Sequence, residues 1–254
     1  MELFSISPEK YQDFLLILVR TSALFISAPF FGFRLVPSSV KILCSVFISL
    51  VIAVYLPPSS YVVTTLVEMI VLIAHQILVG AMLGVIASFT FEAIRFAGEI
   101  IDLQMGFGMA SIMDPSTQIR QTLFGEFNYI LAIMVFIVIN GHHFLLLNLI
   151  STFDKVPLYQ LGFTSNIEFS ILENFRSLFV IGLKLALPIL ALLLLVDIIS
   201  GLISRLIPQL NIFVISFPFK ITAGFIALIA FLPEILRIYA HLIKNIYFNL
   251  NALF

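Results

Sequence analysis

The chain has 254 residues, of which 61% are hydrophobic and 11% charged, with a mean hydropathy of +1.16 and a formal net charge of −1. Soluble domains average about 45–50% apolar and about 25% charged residues, so this composition excludes an ordinary soluble domain, and the near-neutral charge excludes the basic footprint of a nucleic-acid binder. The one cysteine, Cys44, allows neither an internal disulfide nor a zinc-binding spacing.

The first apolar run covers residues 14–33. It follows Glu9, Lys10 and Asp13 rather than a basic region, contains Arg20, and has no small-residue cleavage site before Phe30 and Phe31, so it is expected to be a retained segment and not an export signal. Breakers at 34–41, including Pro37, precede a second run at 42–56, which ends at the turn Pro57-Pro58-Ser59-Ser60. Runs at 66–91 and 127–150 follow, then a polar loop at 151–170, then runs at 171–203 and 210–232 and an amphipathic tail at 234–254. The runs are rich in leucine and β-branched residues without alternation, and a crossing needs about 20 apolar residues, so helices are predicted throughout: an all-α fold with room for six spans.

Two features set these runs apart from a plain lipid-embedded bundle. With the N-terminus outside, Arg34, Lys41, Arg95, Arg120 and Arg205 fall inside and Lys10, Lys155, Arg237 and Lys244 outside, almost no bias by the positive-inside rule. Arg20, Arg176, Lys184 and Lys220 also lie within apolar runs, where each would cost about 2.5–3.5 kcal/mol at a lipid-facing helix centre. Snorkelling suits Arg176 near a segment end and serves Lys184 and Lys220 poorly. Some of these cations are therefore expected to face protein, water or an interface. Pro29, Pro188 and Pro218, within or at the edge of runs, each remove a backbone bond and are expected to bend or break a helix. Broken helices in apolar surroundings occur where protein or a cavity covers the exposed backbone.

The middle of the chain reads Met105-Gly106-Phe107-Gly108-Met109-Ala110-Ser111-Ile112-Met113-Asp114-Pro115. Three of the seven methionines stand here four residues apart, which on a helix would place them on one face. Gly106 and Gly108 each weaken a helix by about 1 kcal/mol, and Pro115 biases Asp114 away from helical geometry, so an irregular loop or frayed helix end is predicted. Methionine is flexible and polarisable, and such a segment fits either a deformable stopper in a conduit or an ordinary loop with core-facing methionines. Just before it, Glu99 and Asp102 share a helical face; without a nucleophile or cofactor motif they mark a polar face near an interface rather than a catalytic pair. His142 and His143, after Asn140-Gly141, lack a second ligand pair at metal spacing and are expected at a turn. No Walker loop, dinucleotide fingerprint or nucleophile elbow occurs, so neither an enzyme nor a cofactor is expected. A stand-alone secondary transporter remains an alternative, although no inverted repeat is visible.

Taken together, RTSALFISAPFFGFRLVPSSVK (20–41), AGEIIDLQMGFGMASIMDPSTQ (97–118), FIVINGHHFLL (136–146) and GLISRLIPQLNIFVISFPFKITAG (201–224) resemble the FliR/SctT family in content, order and spacing over nearly the whole chain. The resemblance implies a subunit of the type III protein export gate in the bacterial inner membrane, at the flagellar basal body or, as the alternative, at an injectisome; PQLNIFVISFP favours the flagellar branch. It implies assembly with FliP and FliQ relatives, association of FlhB and FlhA, and unfolded flagellar export substrates as cargo. It further implies a FliP-like part at 1–160 and a FliQ-like hairpin with tail at 161–254. The plug role falls on Gly106 to about Gln118, with Phe107, Met109, Ile112 and Met113 as sealing groups. The same assembly would hold Arg20, Lys184, Arg205 and Lys220 as buried or interface charges, with Asp197 and Glu68 as possible counter-charges. Asp102 departs from the family pattern, which leads one to expect a small neutral residue there.

Overall fold

A computed structural model describes residues 8–29, 37–57, 61–107, 122–162, 167–207, 209 and 212–251. Among them are seven helices and no strand: α1 Pro8–Ser27, α2 Ser38–Tyr55, α3 Leu66–Met105, α4 Leu123–Val138, α5 Gly141–Lys155, α6 Ile167–Leu206 and α7 Ile212–Asn251. Four of them, α2, α3, α6 and α7, are long and apolar enough to cross a membrane, or five spans exist if α4 and α5 together make one broken span. The protein is thus an all-α membrane protein.

The helix ends follow local chemistry. Pro37 sits before α2 with φ −56° and ψ 141°, an extended conformation that its ring favours, and Leu56 closes the helix with ψ 139° ahead of Pro57. Asn140 separates α4 from α5 in the left-handed conformation, φ 57° and ψ 36°, which asparagine tolerates better than most residues.

Several expectations are revised. The run at 14–33 yields α1, which is not among the candidate spans, because its apolar stretch is interrupted by polar and charged residues. The run at 127–150 is two helices, because Asn140 turns the backbone within it. The polar loop is shorter than 151–170, since α5 continues to Lys155 and α6 begins at Ile167. Pro188 lies inside α6, and Pro218 and Pro233 inside α7, without ending either helix, and the amphipathic tail is the last part of α7. One lost bond in α6 and two in α7 are a small fraction of those in a 40-residue helix, so the prolines are carried.

The chain divides into two compact units, residues 1–89, 140–174 and 244–254 in one and residues 90–139 and 175–243 in the other. In the first, α1 packs on α2 and on the first part of α3. Gly80 and Gly84 permit the approach to α3, since a Cβ on Gly80 would strike the Arg20 carbonyl and one on Gly84 the Ser27 hydroxyl. Leu16, Val63 and Leu72 form a buried cluster there, flanked by Met69, Ile73, Leu158 and Tyr159. In the second unit the last part of α3 packs on α4, α6 and α7. Phe91 meets Phe136 edge-on with ring centroids 5.5 Å apart, and Phe96 meets Phe179 in the same way at 5.5 Å. A Cβ on Gly98 would strike the Phe124 carbonyl, so α3 and α4 touch backbone to backbone.

Candidate functional site

The end of α3 is the best-defined feature of the second unit. Gly106 takes φ +90°, its N–H donates to the carbonyls of Leu103 (3.2 Å) and Asp102 (3.1 Å), and the Phe107 N–H donates to the Asp102 carbonyl at 3.1 Å. These six-to-one and five-to-two bonds form a Schellman cap, which requires a residue at ease with positive φ. Space requires glycine as well, since a Cβ at 106 would come within 2.8 Å of the Phe217 ring. The helix therefore stops at Gly106 for a local reason and is held there by several independent contacts.

Met105 is fully buried against α7, where a Cβ on Gly224 would come within 2.5 Å of its Cε. Phe107 stacks near Phe124 (centroids 6.3 Å), and Phe124 near Phe225 (5.2 Å). Asp102, 1% exposed, accepts the Phe124 N–H at 2.8 Å and the Gly125 N–H at 3.4 Å through Oδ2. Thr122, at the N-cap position of α4, makes no side-chain capping bond, so a carboxylate from α3 supplies the cap instead. This placement also opposes the positive end of the α4 dipole. Arg95 reinforces the same junction, 3.6 Å from both Glu99 and Glu126.

On the other side of α3, Gln104 donates to Asp197 Oδ2 on α6 at 2.8 Å, while Asp197 Oδ1 pairs with Lys220 Nζ on α7. Lys220 and Asp197 keep side-chain exposures of 20% and 35%. Either charge alone in an apolar span would cost about 2.5–3.5 kcal/mol in lipid, and pairing removes much of the reason for that cost.

In the first unit Arg20 is completely buried, and its partners among the described residues are neutral. Nε donates to Gln76 Oε1 (2.6 Å), Nη1 to the Thr152 hydroxyl (3.2 Å) and Nη2 to the Val156 carbonyl (2.8 Å), and the guanidinium lies 4.2 Å from the centre of the Phe153 ring. Gln76 passes the link on by donating to the Leu158 carbonyl at 2.9 Å. One side chain of α1 thereby ties α3, α5 and the segment after α5 together, using the planar fork that distinguishes arginine from lysine.

The positions singled out in sequence are distributed as follows. Met105, Gly106 and Phe107 form the capped end of α3; Gly108, Met109, Ala110, Ser111, Ile112, Met113, Asp114, Pro115 and Gln118 lie outside the described residues. Asp197 and Lys220 pair, whereas Glu68 accepts the Tyr61 hydroxyl. Lys184 and Arg205 are exposed on the chain by itself. His142 and His143 follow the turn at Asn140, and their rings approach to 4.7 Å although they are sequence neighbours. No group of three or more metal-capable side chains assembles among the described residues.

Sequence reasoning missed Gln76, Thr152, Gln104 and the glycine contacts. The amides and the hydroxyl carry no pattern that sets them apart, but Gly80-x-x-x-Gly84 is a legible signal for close helix packing in membranes.

Long apolar helices, buried polar ties between them and a candidate span capped in mid-chain define an integral membrane protein. The chain belongs to the bacterial export proteins, family 1, whose family model matches residues 11–246. It is similar to the flagellar biosynthetic protein FliR of Escherichia coli K12, 37% identical over 235 residues that cover 92% of this chain and 89% of that protein. The protein of that name from Bacillus subtilis 168 is 35% identical over 226 residues, covering 86% and 85%, and that from Aquifex aeolicus VF5 is 28% identical over 229 residues, covering 88% of each.

Proposed function

We propose that this chain is a subunit of the type III protein export gate of the bacterial flagellum, lining and gating the path of unfolded export substrates and performing no catalysis itself. The reading places it in the inner membrane at the basal body, with FliP and FliQ relatives in one hetero-oligomer and FlhB and FlhA relatives associated. In this reading residues 1–160 are the FliP-like part and 161–254 the FliQ-like hairpin of α6 and α7. Family membership over nearly the full chain, with relatives named for flagellar biosynthesis, is the observation that carries it.

The central segment then acts as the seal. A conduit wide enough for an unfolded chain would also pass ions, and each charge crossing 100 mV releases about 2.3 kcal/mol, so a resting gate needs a stopper. A methionine-rich segment closes on irregular surfaces and yields again. The cap at Gly106 supports the role by fixing where the regular helix ends and the segment begins.

Deleting residues 108–118 while keeping Gly106 and Phe107 tests the seal. The variant is expected to co-purify with its partner subunits in normal amount and to raise the ion conductance of the inner membrane in cells. An assembled complex with unchanged conductance would remove the plug from the proposal.

A further inference from the structure

We infer that Gln104 and Asp197 are positioning residues that set where and how the chain leaves α3, and that they do so by tethering its last turn to the ion pair between α6 and α7. This inference rests on the reading of the central segment given above, and its own test can fail separately.

The geometry consists of three linked contacts. Lys220 on α7 holds one oxygen of Asp197 on α6, and the other oxygen accepts the Gln104 amide at 2.8 Å. Gln104 is the residue before Met105, the last of the helix, and the carbonyls of Asp102 and Leu103 beside it accept the N–H groups of Gly106 and Phe107. The tether therefore acts on the very turn that makes the cap. The side chains of Asp102 and Gln104 reach opposite neighbours, the first holding α4 and the second α6. With both in place, the last turn of α3 has little freedom to rotate. Were the α6–α7 pair to shift, Asp197 would carry Gln104 with it, so movement of the pair is coupled to the start of the central segment.

A purely structural ion pair predicts something different. If Asp197 and Lys220 only offset each other's charge, replacing Gln104 by an apolar residue of similar size would leave the pair intact and the end of α3 unchanged. If the tether positions the turn, Q104L alone loosens it. A hydrogen bond to a charged group corresponds to a factor of roughly ten or more in a local equilibrium. Amide exchange of a peptide covering residues 103–107, measured by mass spectrometry on the full-length chain in its membrane complex, is therefore expected to accelerate about tenfold or more in Q104L. Q104E, which sets two carboxylates against each other, should accelerate it further. The reciprocal exchange Q104E/D197N restores a donor facing a carboxylate and keeps one negative charge for Lys220, so it should return exchange towards the wild-type rate.

Ion conductance provides the second readout. Q104L should raise it with complex yield unchanged, Q104E/D197N should lower it again, and in a chain lacking residues 108–118 Q104L should add nothing. Unchanged exchange in an assembled Q104L complex, or no rescue by the reciprocal pair, overturns the inference. If exchange responds as expected while the deletion itself does not leak, the tether stands and the plug reading falls. Should Q104L assemble poorly, Q104N, which shortens the reach by one methylene, gives the same exchange test.

Discussion

Arg20 shows how a single residue in an apolar run is accommodated. The sequence identifies it as a cation that lipid would penalise, and a carboxylate is the first partner one expects for it. The structure answers instead with an amide, a hydroxyl, a carbonyl and an aromatic face. Neutral partners leave no symmetric landmark in the sequence, which is why Gln76 and Thr152 were not legible beforehand. Lysine at this position keeps the charge and loses the fork, so two of three hydrogen bonds go unanswered. R20K is expected to cost about 2 kcal/mol and to lower the thermal midpoint of the solubilised complex. R20K melting with the wild type would show that the fork does not matter.

Helix ends carry the information at the scale of elements. The stop at Gly106 was legible because glycine, a following glycine and a later proline all disfavour helix, and the structure adds the cap bonds and the Phe217 contact. The break between α4 and α5 was legible in part: Asn140-Gly141 led to the turn expected beside His142 and His143, while the apolar residues on both sides still read as one run at 127–150. Of the prolines expected to bend or break a helix, Pro29 stands just past the end of α1, whereas Pro188 and Pro218 break nothing: α6 and α7 continue through them, because a proline removes one bond and long helices retain the rest. The start of α4 rests on Asp102, whose role only the contacts reveal. D102A should leave the first amides of α4 unanswered at a cost of about 1–2 kcal/mol. Amide exchange across residues 122–126 should then quicken roughly tenfold, with D102N intermediate because it keeps an acceptor oxygen. Equal exchange in D102A and wild type would mean that the carboxylate does not cap α4.

The whole molecule is legible chiefly in its class and least in its packing. Composition fixes a helical membrane protein, but not the division into two units, because each unit gathers distant stretches and α3, α6 and α7 pass through both. Three of the four candidate spans are poorly covered within the chain: 17% of the apolar stretch of α2 and 22% of those of α6 and α7 are buried, against 44% for α3. Leu43, Phe47 and Val54 on α2, and Leu183, Leu187 and Leu194 on α6, are exposed, together with Lys184. Lipid would suit the leucines and penalise the lysine, whereas a neighbouring subunit can suit both. Exposed apolar surface on this scale marks an interaction surface or an aggregation liability. Produced alone, the full-length chain is therefore expected to be degraded or to form polydisperse aggregates after extraction. Produced with FliP and FliQ relatives, it should elute as one discrete hetero-oligomer, with cysteine probes at positions 43 and 183 protected from reagents dissolved in the membrane. A stable, monodisperse chain by itself, labelled at both positions equally with and without those partners, would show that its apolar faces are made for lipid and that the shared assembly is wrong.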